Sequence, residues 1–448
     1  MTCVASVASK LIRDHRETKW NDDQRSIVKK MKILFLSLRC PYPPHRGDRI
    51  RSYNFIRQLS KQHAITLVYF AESETDIESA KHLEPFCERV EWVRFHRSFA
   101  YLNTGFHCLS RHPLQLHYWY APQMQRKINE LLTQERFELI HAQLFRMGQY
   151  VTKVQGPAKV LDLCDSLALN LSRRAELESN PWLAKIKLDC TPKRFLVKLE
   201  EKRVQRYEVD IMKAFDCGTV VARFDRDYLL KQDDSLNLSI VPMGVDLGYF
   251  QPKPMEEHAP ILLFTGTMNY FPNADAATYF CNEIFPRIRE RHPNACFYVV
   301  GNQPSEPVKR LEDQKGVIVT GYVPDVRPYF EKASVFVAPL RAGSGIQTKN
   351  LEAMAMGVPV VTTSVGAMGL EADIGKELLV ADTPADFAEQ VIRLLDNADV
   401  RKTLAQTART RVETHYSWEA IGDRLEHVYA QAVQEPRSKI DSQSHQET

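Results

Sequence analysis

Val337-Ala338-Pro339-Leu340-Arg341-Ala342-Gly343-Ser344-Gly345-Ile346-Gln347-Thr348-Lys349-Asn350-Leu351-Glu352-Ala353-Met354-Ala355-Met356-Gly357-Val358-Pro359-Val360-Val361-Thr362-Thr363 is the stretch that decides the fold class. It reads as strand, glycine turn, short helix, glycine stop, strand. Ser334 to Ala338 is expected as a parallel strand buried on both faces. Gly343 and Gly345 bracket Ser344 in a turn, where glycine permits positive φ and close backbone approach to a ligand. The helix from about Ile346 stops at Gly357, and Pro359 prevents its continuation.

A rotation of about 100° per residue sorts this helix into two faces. Leu351, Met354, Ala355 and Val358 fall together and should pack on the sheet. Lys349, Glu352 and Met356 fall on the other side. A helix N-terminus after a glycine turn offers unpaired N–H groups and partial positive charge, which suits phosphate. Lys349 adds a full charge, and Glu352 can accept hydrogen bonds from two hydroxyls, as from a ribose. The bland alternative is a solvated Lys–Glu pair at i,i+3, worth about 0.2–0.5 kcal/mol. The glycine turn and the buried strands on either side favour the ligand reading.

Working outward, 448 residues exceed one ordinary core and suggest two domains, and 44% hydrophobic content suffices for both. A net charge of +3 is too small to argue for nucleic acid. The nine cysteines include no Cys-x-x-Cys pair, so neither a zinc knuckle nor a disulfide framework is indicated and a reducing compartment is expected. No apolar run approaches the ~20 residues of a membrane-spanning helix. The first thirty residues lack an apolar signal region. Met31-Lys32-Ile33 begins a clean strand, so residues 1–30 are expected to be a dispensable extension.

Lys32 to Leu38, a Pro-rich loop to Arg49, a helix to Lys61 and a strand Ala64–Phe70 form a βαβ unit, hence a parallel sheet. Further strands are expected at Arg89–Phe95, Phe137–Ala142, Lys159–Leu163 and Asp216–Val221. His141 is expected at the carboxyl end of its strand, where open α/β sheets bind ligands. On position alone, a structural histidine is the more common reading. The segment Leu167–Lys213 suggests a surface helix whose basic face includes Arg203, Arg206 and Lys213; such a face is usually solvated and can meet anionic headgroups. Asp225-Arg226-Asp227 opens a helix and reads as a cap, and no His/Cys/carboxylate cluster has ligand spacing, so no metal is expected. The polar stretch Gln251–His258 is the expected domain boundary. A second alternating unit follows, with strands at Ile261–Thr265, Cys296–Val300 and Val317–Thr320 and a helical region over Asn273–Glu290.

Gly-Ser-Gly-Ile-x-x-Lys-x-Leu-Glu-Ala-Met-Ala-x-Gly-x-Pro-Val-Val resembles the donor-site signature of glycosyltransferase family 4, a retaining family with the GT-B fold. The pattern Gly266-Thr267-Met268 through Asn273, together with Gly321-Tyr322-Val323-Pro324-Asp325-Val326-Arg327-Pro328-Tyr329, is similar to exopolysaccharide sugar transferases of the PEP-CTERM/exosortase-associated type. The likeness runs over about residues 31–434. It implies two Rossmann-like α/β domains with parallel sheets facing across a cleft. The expected division is an acceptor domain at 31–250, a nucleotide-sugar domain at 257–417, a crossover helix at 418–434 and a disordered tail at 435–448.

The resemblance implies donor contacts from Gly266, Tyr322, Val323, Arg341, Gly343, Ser344, Gly345, Ile346, Lys349 and Glu352. It places Gly47 and Arg49 on an acceptor or phosphate loop, and His141 with Glu352 in catalysis. Two departures stand out. The Arg and Lys that usually follow the glycine matching Gly266 are absent, and Ser344 stands where the first acid of a Glu-x7-Glu motif is usual.

The implied activity is metal-independent, retaining transfer from a UDP- or GDP-type sugar to a saccharide or lipid-linked acceptor in cell-surface glycan synthesis. No cofactor beyond the substrate nucleotide is implied. A nucleotide-sugar 2-epimerase and a non-catalytic subunit of a polysaccharide assembly are the rival readings. The expected location is the cytoplasm, with peripheral contact to an anionic membrane on its inner face.

Overall fold

The computed structural model describes residues 29–178, 191–253, 260–343 and 345–434, with side chains 173–178 and 191–197 outside that description. The expected extension up to residue 28, residues 254–259 of the expected boundary, Ser344 and the 435–448 tail lie outside the described residues. Contacts divide the described chain into residues 29–242 with 421–434, and residues 243–420.

The first unit contains strands β1 (Lys32–Ser37), β2 (Ala64–Ala71), β3 (Arg89–Arg94), β4 (Leu139–Gln143), β5 (Ala158–Cys164), β6 (Cys217–Val220) and β7 (Leu238–Ile240). They form one sheet in the order β3-β2-β1-β4-β5-β6-β7, every pair parallel. β1, Lys-Ile-Leu-Phe-Leu-Ser, is buried from its second residue onward. Such an unbroken apolar strand needs cover on both faces. Helix α1 (Gly47–Leu59) supplies part of it, burying Phe55, Ile56 and Leu59. Asp48 sits in its first turn, where a negative charge suits the helix dipole. Helix α2 (Thr191–Met212) belongs to the same unit and buries Val204, Ile211 and Met212.

The second unit contains β8 (Ile261–Thr265), β9 (Cys296–Val300), β10 (Val317–Gly321), β11 (Val335–Ala338), β12 (Val360–Thr362) and β13 (Leu379–Val380). Its sheet runs β10-β9-β8-β11-β12-β13, again parallel throughout. The helical region expected over Asn273–Glu290 is interrupted. Helix α3 (Phe271–Tyr279) passes through a wide π turn at Phe280–Ile284 before a further helix resumes at Phe285. Pro286 has no N–H to give, and widening the turn relieves its ring against the preceding carbonyls.

Helix α4 (Thr348–Ala355) is shorter at its start than the periodicity predicts. It ends in a Schellman arrangement: Gly357 takes φ +69°, its N–H reaches the Met354 carbonyl at 3.1 Å, and the Val358 N–H reaches Ala353 at 2.9 Å.

The unit division falls at Pro242, upstream of the polar Gln251–His258 stretch. Residues after Pro242 are built into the second unit. Val245 bridges to Ser417, the Gly244 backbone lies so close to the Trp418 indole that a Cβ would stand 2.6 Å from it, and Arg409 donates to the Phe250 carbonyl at 2.8 Å. Helix α5 (Trp418–Gln434) starts in this unit and continues, from Ile421, in the first. There Ile421, Leu425, Val428, Tyr429 and Ala432 are buried, a helical stripe that gives the last segment an apolar seat on the N-terminal sheet unit.

Candidate functional site

In each sheet the strand order reverses direction at one point, between β1 and β4 in the first and between β8 and β11 in the second. Loops leaving the carboxyl ends of such a pair open a crevice suited to ligands. The two crevices differ in how their charges are matched.

In the second unit, Gly266 closes β8 at φ +155° and Gly301 closes β9 at φ +154°. A Cβ on Gly301 would stand 1.7 Å from the Gly266 carbonyl oxygen, so only glycine permits this approach. The Asn273 side chain donates to the Thr267 carbonyl at 3.0 Å and receives the Lys349 Nζ at 2.5 Å. Met268, fully buried, anchors the same loop. After β11, Gly343 takes φ +154° and Gly345 φ +71°, and the chain enters α4 with no side-chain cap hydrogen bond from Gln347. Ile346 is buried beneath the turn. The loop is held from below: Thr363 Oγ1 donates to the Leu340 carbonyl and accepts from the Gly366 N–H, while the fully buried Asn350 amide donates to the Gly366 carbonyl at 2.9 Å.

Lys349 and Glu352 are both partly buried, which removes the solvated-pair alternative. Lys349 also lies 4.8 Å from the Phe264 ring centroid. Desolvation pushes the lysine down to about 8, offset in part by Glu352. Desolvation pushes the Glu352 carboxyl up to about 7, offset in part by Lys349. Among the described residues the two form no ion pair within 4.0 Å. Near neutral pH Glu352 sits close to half-titration while Lys349 stays mostly charged, and each would gain from a ligand group of the right polarity.

Arg341 behaves otherwise. Its guanidinium holds Asp275 with two contacts, Nε at 3.0 Å and NH2 at 2.5 Å, and lies 4.4 Å from the Tyr279 ring centroid. The expectation that it neutralises phosphate meets a guanidinium already matched by a carboxylate. Tyr322 is 75% exposed on the loop after β10, with Val323 partly buried beside it. Asp325 of the same loop accepts from the Arg327 backbone and side chain, 3.0 and 2.7 Å, and from the Tyr249 hydroxyl at 3.0 Å. Those bonds, the Arg327 side chain first, hold its carboxyl well below the usual range, so this acid is structural.

In the first unit the expected residues are dispersed. Gly47 is exposed at the start of α1 and a Cβ there would meet nothing within 4 Å, so no steric need fixes a glycine. Arg49 is ion-paired to the buried Asp76 at 3.2 Å. His141 lies in the middle of β4, opposite Phe35 and Val160, and is fully buried. Phe35 stacks on it at 4.3 Å, Phe55 meets it edge-on at 6.1 Å, and the Tyr429 hydroxyl is 2.8 Å from Nδ1. Burial pushes its pKa down to about 4, so the ring is neutral at pH 7. An enclosed ring offers no face to a substrate, contrary to the expectation that it faces a crevice.

The residue nearer the strand end is Gln143, which receives the Ser37 hydroxyl at 3.1 Å and donates to the Asp48 carbonyl at 2.9 Å. Asp225 is also fully buried, accepting from the Ser166 N–H at 3.0 Å.

Sequence reasoning missed Asn273 and Asp275 as the partners of Lys349 and Arg341. Asn273 was visible only as part of a recurrent loop pattern, and Asp275 carried no signal at all. It also missed the Arg51–Asp162 pair in the first unit. Arg51 Nε and NH2 reach the two Asp162 oxygens at 2.7 and 2.9 Å, NH1 donates to the Pro242 carbonyl at 3.0 Å, and Thr219 adds a hydroxyl at 2.8 Å. Both partners are fully buried.

Residues 259–397 match the family model described as Glycosyl transferases group 1. The chain is 20% identical over 405 residues to an uncharacterized 44.6 kDa protein in the cps region of Klebsiella pneumoniae, covering 86% of this chain and 96% of that one. It is 28% identical over 132 residues to the capsular polysaccharide biosynthesis glycosyltransferase CapM of Staphylococcus aureus, 29% of this chain and 34% of that protein. Among solved structures, Anabaena Alr3699/HepE in complex with UDP and glucose superposes with a TM-score of 0.60 at 14% identity, over 89% of this chain and 99% of that one. That likeness shows the fold: two parallel-sheet, Rossmann-like units of the GT-B type. Over residues 259–397 the chain carries a group 1 glycosyltransferase domain.

Proposed function

We propose that this chain is a metal-independent, retaining glycosyltransferase of family 4 that moves a sugar from a UDP- or GDP-type donor to a saccharide or lipid-linked acceptor in surface-glycan synthesis. One observation carries the reading: Lys349 and Glu352, partly buried at a sheet switch point, are shifted toward each other's range with no direct ion pair between them. A diphosphate would supply the negative charge that Lys349 lacks, and ribose hydroxyls would donate to Glu352. The uncapped first turn of α4 adds N–H groups to the phosphate end. With Arg341 matched by Asp275, Lys349 and the helix terminus carry the leaving-group charge.

Positioning and stabilisation of the departing diphosphate are then the chain's contribution to the reaction. Asp225 is occupied by Ser166, which argues against the Asp-x-Asp spacing as a metal ligand pair. CapM's capsular role and the UDP bound to HepE support the substrate class. The test is a thermal-shift panel of UDP, GDP, ADP and their sugars, because ligands that bind only the native state raise its stability. Acceptor-dependent release of the matching nucleotide, with EDTA present, completes it. A full panel without stabilisation sinks the donor assignment.

Membrane contact is the second part of the reading, and the surface that supports it is not α2. Among the described side chains of that helix Arg203 is held by Cys108 and Glu200, and just beyond it Lys213 pairs with Asp233 at 2.9 Å. The helix Arg97–Phe106 instead leaves Phe99, Leu102 and Phe106 46, 63 and 86% exposed at i, i+3 and i+7, followed by Leu109 at 91%. Arg111 is exposed beside them, and Arg97, also exposed, pairs with Glu72 at 3.1 Å. Apolar side chains with a basic rim fit the interface of an anionic bilayer. Vesicles of phosphatidylglycerol and phosphatidylcholine should co-sediment the protein, and Phe106→Ser with Leu109→Ser should abolish this. Equal binding to neutral vesicles, or self-association through the same face, overturns it.

A further inference from the structure

Arg39, Arg49 and Arg51, on the elements that leave β1 at the carboxyl edge of the N-terminal sheet, are matched. Arg39 is 2.7 Å from both Asp48 and Glu72, Arg49 is 3.2 Å from Asp76, and Arg51 holds Asp162. Arg146, on the short helix Leu144–Gly148 that follows β4, is not. Its Nε is buried with no hydrogen-bond partner, and among the described residues its guanidinium forms no ion pair. The guanidinium lies 5.3 Å from the Phe145 ring centroid.

Desolvation pushes the Arg146 pKa down to about 10. The like charge of Arg39 adds to this, while Asp48 and Glu208 oppose it. Neither acid is free to serve as its counter-ion. Asp48 is taken by Arg39 and lies 3.6 Å from Arg46. Glu208 is fully buried, accepts from Ser166 Oγ at 2.9 Å and the Leu167 N–H at 2.7 Å, and is itself pushed up to about 7 by burial.

Arg146 is only partly buried, but withdrawing its Nε from water without a partner is costly, and folds retain such groups where something else supplies the opposite charge. The place fits a ligand. β1 and β4 are neighbours across the reversal of strand order, so the segments after them border a crevice. The backbone at these strand ends is unusual as well: Leu144 after β4 and Cys164 at the end of β5 take left-handed φ of +64° and +60°. Non-glycine residues held in that region cluster at functional sites.

We infer that Arg146 is an anion-binding residue of the N-terminal unit, positioned to take a phosphate or diphosphate group carried by the acceptor. The inference rests on the glycosyltransferase reading for the word acceptor, and on the Arg146 surroundings for the anion. A planar guanidinium with open donors suits two phosphate oxygens at once. The acceptor class is thereby narrowed to a phosphorylated saccharide or a saccharide diphosphate lipid, in preference to a neutral glycan.

The experiment uses the full chain, with inorganic diphosphate as probe and the nucleotide that best stabilises the wild type present at saturation to fill the donor site. Wild type should gain further thermal stability from diphosphate. Arg146→Met should lose that gain, with affinity down tenfold or more, and Arg146→Lys should keep part of it. Because Arg146→Met removes an unmatched charge, its unfolding temperature without anion should equal or exceed that of wild type. In transfer assays its KM should rise at least tenfold for a phosphorylated acceptor and stay unchanged for a phosphate-free one. A rise for both, or for neither, places the bound anion as free phosphate and overturns the acceptor assignment. Absence of a diphosphate gain in wild type, or an Arg146→Met protein that is destabilised yet binds diphosphate normally, overturns the site. Failure of every nucleotide to stabilise wild type is a different result and bears on the donor reading alone.

Discussion

One buried charged group in each sheet unit shows the two opposite arrangements. In the N-terminal unit, Arg51, Asp162, Thr219, His141 and Tyr429 form an enclosed group in which the ionised pair is matched with short, two-pronged contacts. Burial alone would push the Asp162 carboxyl up, but the Arg51 guanidinium outweighs it and holds the acid below its ordinary range. In the C-terminal unit, Lys349 and Glu352 stand apart, each pulled toward its neutral form. Matched buried charge joins elements of a fold. Charge without an ion-pair partner at a strand edge is the feature on which the donor-site proposal rests. The contrast also explains why His141, which the resemblance placed in catalysis, belongs with the first set.

Breaking the matched pair should have the largest effect. Arg51→Met leaves Asp162 buried and unpaired, and should cost about 3–5 kcal/mol in denaturant unfolding. Arg51→Met with Asp162→Leu should recover most of that loss. A small loss in the single variant would mean that water reaches the pair and that the two regions do not differ as described.

Lys349→Ala should weaken nucleotide-diphosphate binding by about 1.5–3 kcal/mol, since one charged hydrogen bond is lost. Glu352→Gln should weaken nucleotides but leave inorganic diphosphate unaffected. Neither should lower the unfolding temperature by more than the loss of the Lys349–Asn273 hydrogen bond, because neither group has an ion-pair partner among the described residues. Destabilisation with unchanged calorimetric affinity would move both residues into the structural class.

Tyr429→Phe removes the hydroxyl beside His141 and should cost about 1–2 kcal/mol of stability while leaving nucleotide affinity alone. A tenfold loss of transfer in a stable Tyr429→Phe protein would return His141 to the chemistry.

The smallest effect is on pH. A depressed lysine contributes stability that is present above its unfolded pKa and lost as pH falls through the folded value, about 8 for Lys349. A raised carboxyl contributes stability that is present below its unfolded pKa and lost as pH rises through the folded value, about 7 for Glu352. Between those values both groups are largely charged, the free site is least favourable, and an anionic, hydroxyl-bearing ligand gains most. Nucleotide affinity should therefore peak between pH 7 and 8 and fall by about threefold from pH 7.5 to 8.5 as Lys349 deprotonates. A flat profile in titration calorimetry would remove the protonation of Lys349 from the binding step.

Local pattern carried far into the fold. Unbroken apolar runs marked β1, β8 and β9, and the spacing of Leu351, Met354 and Ala355 separated the packing face of α4 from the face that carries Lys349 and Glu352. The glycine stop at Gly357 and the positive φ of Gly343 and Gly345 follow from the same few residues. Periodicity could not see the pairings. Lys349 and Asn273 are 76 residues apart, Arg341 and Asp275 66, Arg51 and Asp162 111, and Tyr429 and His141 288.

The sequence by itself thus determined the alternation of strand and helix, the parallel sheets and the glycine turn before Lys349, because these depend on backbone freedom and on which side chains share a face within a few residues. Only the tertiary structure decided which charges are spent and which are open. Arg341 was spent on Asp275, His141 was sealed between Phe35 and Tyr429, and among the described residues Arg146 was left without an ion-pair partner. The reason is that desolvation and ion pairing are sums over neighbours brought close by strand order, and strand order joins residues that no local window holds together.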